Sequence, residues 1–170
     1  EAKKLIDSGE MGKLLWLRGV YGKAGSIDYD KNWRNYREIS GGGILIDQGI
    51  HMLDLMRYFS GQNFTHINSF VTTSYWNIEA EDNAFAIMKA KNGVICSIHS
   101  TATQWQHKFN MEITFSKGTI ILEGILSGTK SYGKETLKIF PGAKPYLYKG
   151  KTAKTKKFYF RKDTSWSDEI

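Results

Sequence analysis

A chain of 170 residues, 41% hydrophobic and 14% aromatic, has enough apolar material for one buried core and is neither disordered nor collagen-like in composition. Its net charge of +7 is unevenly spread: residues 134–162 hold ten Lys or Arg against one acid, a local +9, so the remainder sums to −2. The positive charge is therefore a local surface property, and a nucleic-acid partner is not expected.

The single cysteine, Cys96, excludes a disulfide framework and a cysteine-rich metal site. No apolar run nears the roughly 18–20 residues that span a bilayer, and no membrane association is expected. EAKKLIDSGEMG at the start does not read as a signal peptide, and the single cysteine is compatible with the cytoplasm, the expected location.

In chain order, residues 1–9 read as a short helix ended by Gly9, and KLLWLRGVYG (13–22) reads as a strand. Residues 23–40 form a long connection rich in Gly, Asp and Asn, and connections of that length often carry function. Three glycines (41–43) open a helix from about Gly43 to Phe59, with Gly61 just past its end. Strands are predicted at 66–75, 84–90, 94–102, 107–115, 118–123, 135–140, 145–149 and 156–161, with turns at KNGV (91–94) and SKGT (116–119). TSWSDEI reads as the start of another helix capped by Ser167. The expected fold class is α+β: a large open, predominantly antiparallel sheet with helices on one face. A single long helix cannot cover both faces, so the other face should meet another domain or subunit. Lysines alternating with aromatics in the late basic segment suit an edge strand better than a nucleic-acid groove.

Asp47, His51, Asp54 and Tyr58 are spaced four, three and four apart and share one polar stripe of the predicted helix. Met52, Met56 and Phe59 form one apolar row with Leu45, and Ile46, Ile50 and Leu53 another, so the helix reads as mostly buried. Carboxylates and an imidazole on such a helix must be paired or face a cleft. Asp47 is placed to approach His51 across one turn, an arrangement suited to a group that moves a proton near neutral pH; an ordinary local hydrogen-bond network has the same spacing. A metal site is not expected, because the pattern is not HExxH. The triple glycine either offers free N–H groups to an anion or marks a tight packing point. It is no dinucleotide fingerprint, since GxGxxG is absent.

SGEMGKLLWLRGVYG, NWRNYREISGGGILIDQGIHMLDLMRYFSG and EDNAFAIMKAKNGVICSIHSTAT together resemble the second domain of the glucose–fructose oxidoreductase, inositol dehydrogenase and rhizopine catabolism family, from about residue 2 to 140. The specific element is Gly–Gly–Gly, then Asp47, then His51, then Asp54. The resemblance implies one α+β domain over 1–170 that binds substrate, detached from an N-terminal Rossmann domain that would hold most of NAD or NADP, and clipped before the final C-terminal segment. It implies that the full-length protein oxidises a secondary hydroxyl of a sugar, sugar nucleotide or cyclitol, with His51 as proton-transfer group and Asp47 as its orienter. A lysine of the family's Glu-Lys-Pro motif is not in this chain, and the isolated 170 residues are expected to be inactive. Glycoside cleavage through transient oxidation, or a non-enzymatic binding or oligomerisation role, are the competing readings; a homo-oligomer through the open sheet face is expected.

Substrate-binding candidates are Trp33, Arg34 and Tyr36 in the long connection, because aromatics stack on sugar faces and arginine binds oxyanions. Gln104, Trp105 and His107 are further candidates, in a segment dense in polar and aromatic side chains. Glu81 and Asp82, after Tyr75 and Trp76, fit a ligand contact, an exposed turn or a subunit contact, and His99 fits an interface. Cys96, within an apolar strand, reads as a buried inert thiol.

Overall fold

The computed structural model describes residues 1–127, 129–142 and 154–161; the predicted strand 145–149 and the helix start at Ser167 lie outside them. Helix α1 (Ala2–Asp7) leads into β1 (Leu14–Gly22). The long connection is not structureless: it holds two 3-10 turns, Tyr29–Lys31 and Trp33–Asn35, and a one-turn helix α2 (Arg37–Ser40). A π-helical turn, Leu45–Gly49, then runs into α3 (Ile50–Ser60). The remaining strands are β2 (Phe64–Thr72), β3 (Asn83–Ala90), β4 (Ile95–Thr101), β5 (Lys108–Phe115), β6 (Gly118–Glu123), β7 (Thr136–Pro141) and β8 (Lys156–Tyr159).

All eight strands form one open sheet in the order β2-β3-β4-β1-β5-β6-β7-β8. Every neighbouring pair is antiparallel except β1 and β4, which run parallel with Trp16 beside Ile95 and Gly22 beside Thr101. The helices lie on one face. Period-two alternation sends Leu17 of β1, Cys96 and Ile98 of β4, and Met111 and Ile113 of β5 into that layer, where they are buried with Met52, Met56 and Phe59 of α3. Each such side chain contributes roughly 1.5–3 kcal/mol by leaving water. Burial pushes the Cys96 thiol up to about 12, countered in part by the backbone N–H of Leu17, so it is an inert core group.

The helix is less buried than its apolar rows implied. Met52, Met56 and Phe59 are buried in the core and Leu45 and Leu53 pack against it half-buried, but Ile46 and Ile50 are each about half exposed, and His51 and Asp54 are exposed as well. On the opposite, uncovered face of the sheet, Phe70, Phe85, Ile87 and Trp16 stand open beside the Arg18–Glu112 ion pair. His99 lies on this face too, stacked on Phe85 with ring centroids 4.0 Å apart.

Candidate functional site

Strand order gathers the candidate side chains. β1 and β4 end at the same edge of the layer, and β5 starts there; because β1 is inserted between β4 and β5, the 102–107 connection must cross the end of β1. The loops 73–82 and 124–135 emerge at that same end, as does the 23–44 connection. Backbone bonds fasten the crossing: Lys23 N–H donates to Thr101 O at 2.9 Å, and Gln104 N–H to Lys23 O at 3.4 Å.

Asp47 sits at the centre of this end. Its carboxylate pairs with the Lys23 ammonium through Oδ2 and with Arg34 Nε, 3.2 Å from Oδ1. Lys23 also lies over the Tyr29 ring, 5.2 Å from its centroid, and the Arg34 guanidinium over Trp33 at 4.3 Å. Burial first, and the Asp47 charge second, push the Tyr29 phenol above its ordinary value. Trp33, Arg34, Gly42, Gly43, Ile46 and Asp47 line a hollow of about 210 Å3.

The expected contact between Asp47 and His51 is not made: no hydrogen bond joins them, and Asp47 is engaged by Lys23 and Arg34 instead. The π turn is the physical reason. Its wider winding takes Asp47 off the position directly above His51 that α-helical spacing implies. His51 instead borders a second, mainly apolar hollow of about 300 Å3 with Tyr21, Leu55, Phe109, Leu122 and Ile125. Tyr132 adjoins Tyr21 there, with ring centroids 5.5 Å apart, and packs edge-on against His107 at 4.8 Å. Its hydroxyl accepts a 2.7 Å bond from Gln48 Nε2, which ties the 124–135 loop to the π turn.

Two acidic residues build the walls, and neither is the surface turn that spacing allowed. Glu81 Oε1 accepts from the N–H groups of Gly43 (3.0 Å) and Leu45 (3.1 Å), while its carbonyl accepts from Ile44 N–H at 3.1 Å. The first N–H groups of the helical segment are thus taken by this chain's own carboxylate and are not free for an anion. A Cβ on Gly43 would collide with the Glu81 backbone, so the last of the three glycines is a packing point, whereas Gly41 has open space around it. Asp82 is fully buried and accepts from the N–H groups of Ser74 (2.9 Å), Tyr75 (2.8 Å) and Trp76 (3.1 Å), from the Ser74 hydroxyl (3.1 Å) and from Asn83 Nδ2 (3.0 Å). Burial alone would raise its carboxyl, but these donors outweigh burial and hold it below the ordinary carboxylate range.

The clamp sets the aromatic side of the site. Trp76 Nε1 donates to Ala102 O at 2.9 Å and its ring meets Tyr29 at 4.8 Å; Tyr75 meets Trp105 edge-on at 4.7 Å. Trp105 is 62% exposed and holds a φ of +60°, a strained conformation for so large a residue. Of the sequence candidates, Trp33, Arg34 and Asp47 share one hollow, His51 and His107 lie on the Tyr21–Tyr132 side, and Gln104 backs Lys23. Tyr36 caps α2 with an exposed ring outside both hollows. Lys23, Glu81 and Tyr132 were not singled out for these roles by sequence. Lys23 had one signal, a cation directly after an apolar strand; the others lie 36 or more residues from their hydrogen-bond partners and leave no local spacing. Among the described residues, no three His, Cys, Asp or Glu side chains converge as metal ligands, and no helix is long and apolar enough to cross a membrane.

Residues 1–121 match the family model described as the GFO/IDH/MocA C-terminal domain, and the chain belongs to that family. Levoglucosan dehydrogenase of Pseudarthrobacter phenanthrenivorans is 27% identical over 151 residues, covering 71% of this chain and 37% of the relative. The scyllo-inositol 2-dehydrogenase (NAD(+)) of Bacillus subtilis is 25% identical over 132 residues, covering 72% and 35%. This chain therefore spans little more than a third of those curated relatives. Among solved structures, levoglucosan dehydrogenase in complex with NADH and levoglucosan aligns with a TM-score of 0.75 over 94% of this chain and 43% of that one. At 22% identity that likeness speaks for the fold alone. The WlbA dehydrogenase from Bordetella pertussis, in complex with NADH and UDP-GlcNAcA, is 25% identical, with a TM-score of 0.62 over 71% of this chain and 38% of that one.

Proposed function

We propose that this domain is the substrate-facing half of an NAD(P)-dependent oxidoreductase that acts on a secondary hydroxyl of a sugar, sugar nucleotide or cyclitol. The observation that carries the reading is the Lys23–Asp47–Arg34 ionic cluster in one hollow, with His51 bordering a second hollow at the same end of the sheet and aromatic side chains flanking them. NAD or NADP, held mainly by a Rossmann domain outside these residues, supplies acceptance of hydride from the alcohol carbon. The chain's own side chains do the rest. His51, exposed at the mouth of its hollow, takes the hydroxyl proton as general base and returns it in the reverse direction. Asp47 acts as a positioning residue, holding the Lys23 ammonium where it can donate to the substrate oxygen and lower the cost of its developing charge. Trp33, with Arg34 against its face, and Trp105 offer rings for the apolar faces of a sugar, while Gln104 fixes the strand end that carries Lys23. The open sheet face, with Trp16, Phe85 and Ile87 uncovered, packs against the same face of a second copy.

The test is turnover of NAD+ or NADP+ by the full-length protein with a panel of polyols, sugars and inositols. His51→Ala lowers kcat by about a hundred- to ten-thousand-fold while leaving the melting temperature within a few degrees, as expected for an exposed general base. Unchanged turnover in that variant would remove His51 from the mechanism.

A further inference from the structure

The two edges of the sheet are built differently. β8 reads Lys-Lys-Phe-Tyr, preceded by Lys154 and followed by Arg161, and such charges discourage another strand from pairing. β2, the opposite edge, reads FTHINSFVT over nine residues without a single Lys, Arg, Asp, Glu or Pro. Its one irregularity, between Phe64 and His66, is confined to its beginning. From Thr65 to Thr72 every residue is exposed, including Ile67 at 60%, Phe70 at 78% and Val71 at 54%. None of the usual protections of an edge strand is present along this stretch.

The outward pattern of hydrogen-bonding groups follows from one bond. Asp82 N–H donates to Thr72 O at 3.0 Å, so the backbone groups of Thr72 face β3. Backbone direction alternates along a strand, which turns the N–H and C=O of Ile67, Ser69 and Val71 away from the sheet. Side-chain direction alternates likewise: Phe70 stands opposite Phe85 on the open face, while Ile67 and Val71 point to the other side.

We infer that β2 is a pairing edge for a second copy of this chain, joined antiparallel about a two-fold axis at Ser69. In that register Ser69 exchanges both backbone bonds with its own counterpart. Ile67 exchanges them with Val71 of the partner subunit, and the two aliphatic side chains meet on one face. On the other face Phe70 covers Asn68 of the partner subunit. A neutral, self-complementary strand suits a copy of itself, because no like charges are brought together and one two-fold satisfies every outward group between Ile67 and Val71. The interface is distinct from the open-face contact and joins two sheets edge to edge.

Cysteine cross-linking separates the two contacts in the full-length protein. Directly opposed residues of an antiparallel pair have Cα atoms about 4.5–5.5 Å apart, within the roughly 4.4–6.8 Å that a disulfide spans. The native Cys96 is buried at 0% exposure and stays silent. Ser69→Cys is expected to give a disulfide-linked dimer under mild oxidant on a non-reducing gel, with Lys154→Cys at the guarded edge remaining monomeric. Val71→Lys, at an exposed position, is expected to halve the mass measured by light scattering with the circular dichroism spectrum unchanged. A Ser69→Cys protein that stays uncross-linked overturns the inference, whether the protein is then monomeric or joined only through Phe85→Cys on the open face. Retention of the parent mass by Val71→Lys overturns it equally.

Discussion

At one end of the sheet β3 and β4 are joined by residues 91–94, and β5 and β6 by Ser116 and Lys117, turns that only reverse the chain. At the other, four longer connections converge: Gln48 bonds to Tyr132 and Glu81 to the turn before α3, across from one segment to another, while Asp82 bonds within its own loop and Lys23 and Arg34 pair with Asp47 within the segment after β1. The two aspartates of that second end differ in what they can do. Asp82 gives its oxygens to three backbone N–H groups and two side chains, so it is architecture. Asp47 touches only the ends of flexible cations in a part-exposed hollow, where a ligand can rearrange them.

Replacing Asp82 by Ala should give the largest effect, because it leaves a set of buried donors unpaired. We expect a loss of about 3 kcal/mol or more in denaturant unfolding, together with loss of near-ultraviolet signal from Tyr75 and Trp76. The same carboxyl sets an acid limit. Its folded value lies below its unfolded one, so its contribution is full above the ordinary carboxylate range and is lost as pH falls through the depressed folded value. Asp82→Asn should therefore flatten the fall in stability below about pH 4 relative to the parent. A parallel acid profile for the two proteins would take Asp82 out of this role.

Gly43→Ala comes next. A Cβ there meets the Glu81 backbone, which has no freedom to withdraw, and we expect about 1–3 kcal/mol of destabilisation with turnover reduced as the π turn shifts. The turn end supplies the smallest effect. Gly93 holds φ +90° with nothing within 4 Å of the place a methyl would take, so Gly93→Ala should cost about 1 kcal/mol from backbone strain alone. Its KM and kcat should equal the parent's. A turnover defect in Gly93→Ala would erase the division between the two ends.

Much of this was legible in the residues. Alternation and turn signals located the strands, and helical spacing found α3 from its Met52–Met56–Phe59 row and from Gly61. The triple glycine with Asp47 and His51 marked the helix on which the proposed site is built. What spacing misread was local to the π turn: Asp47 and His51 are four apart, but the wider winding separates their side chains. Glu81 and Asp82, adjacent in sequence and equally charged, could not be told apart by spacing, which left a ligand contact and an exposed turn equally open for both. Bridging two elements put one carboxylate on the glycine turn and buried the other completely.

Length, composition and periodicity by themselves determined an α+β chain with a helix-covered sheet, because hydrophobic repeats of two and 3.6 residues report which face each element must bury. They also determined that the +7 charge belongs to one late segment. Only the tertiary structure decided that β1 lies between β4 and β5, and that this insertion carries Gln104 over Lys23 and Lys23 against Asp47. Those contacts join residues 24 to 81 positions apart in the chain. No local period encodes such a distance; strand order does, and strand order is a property of the whole packed core.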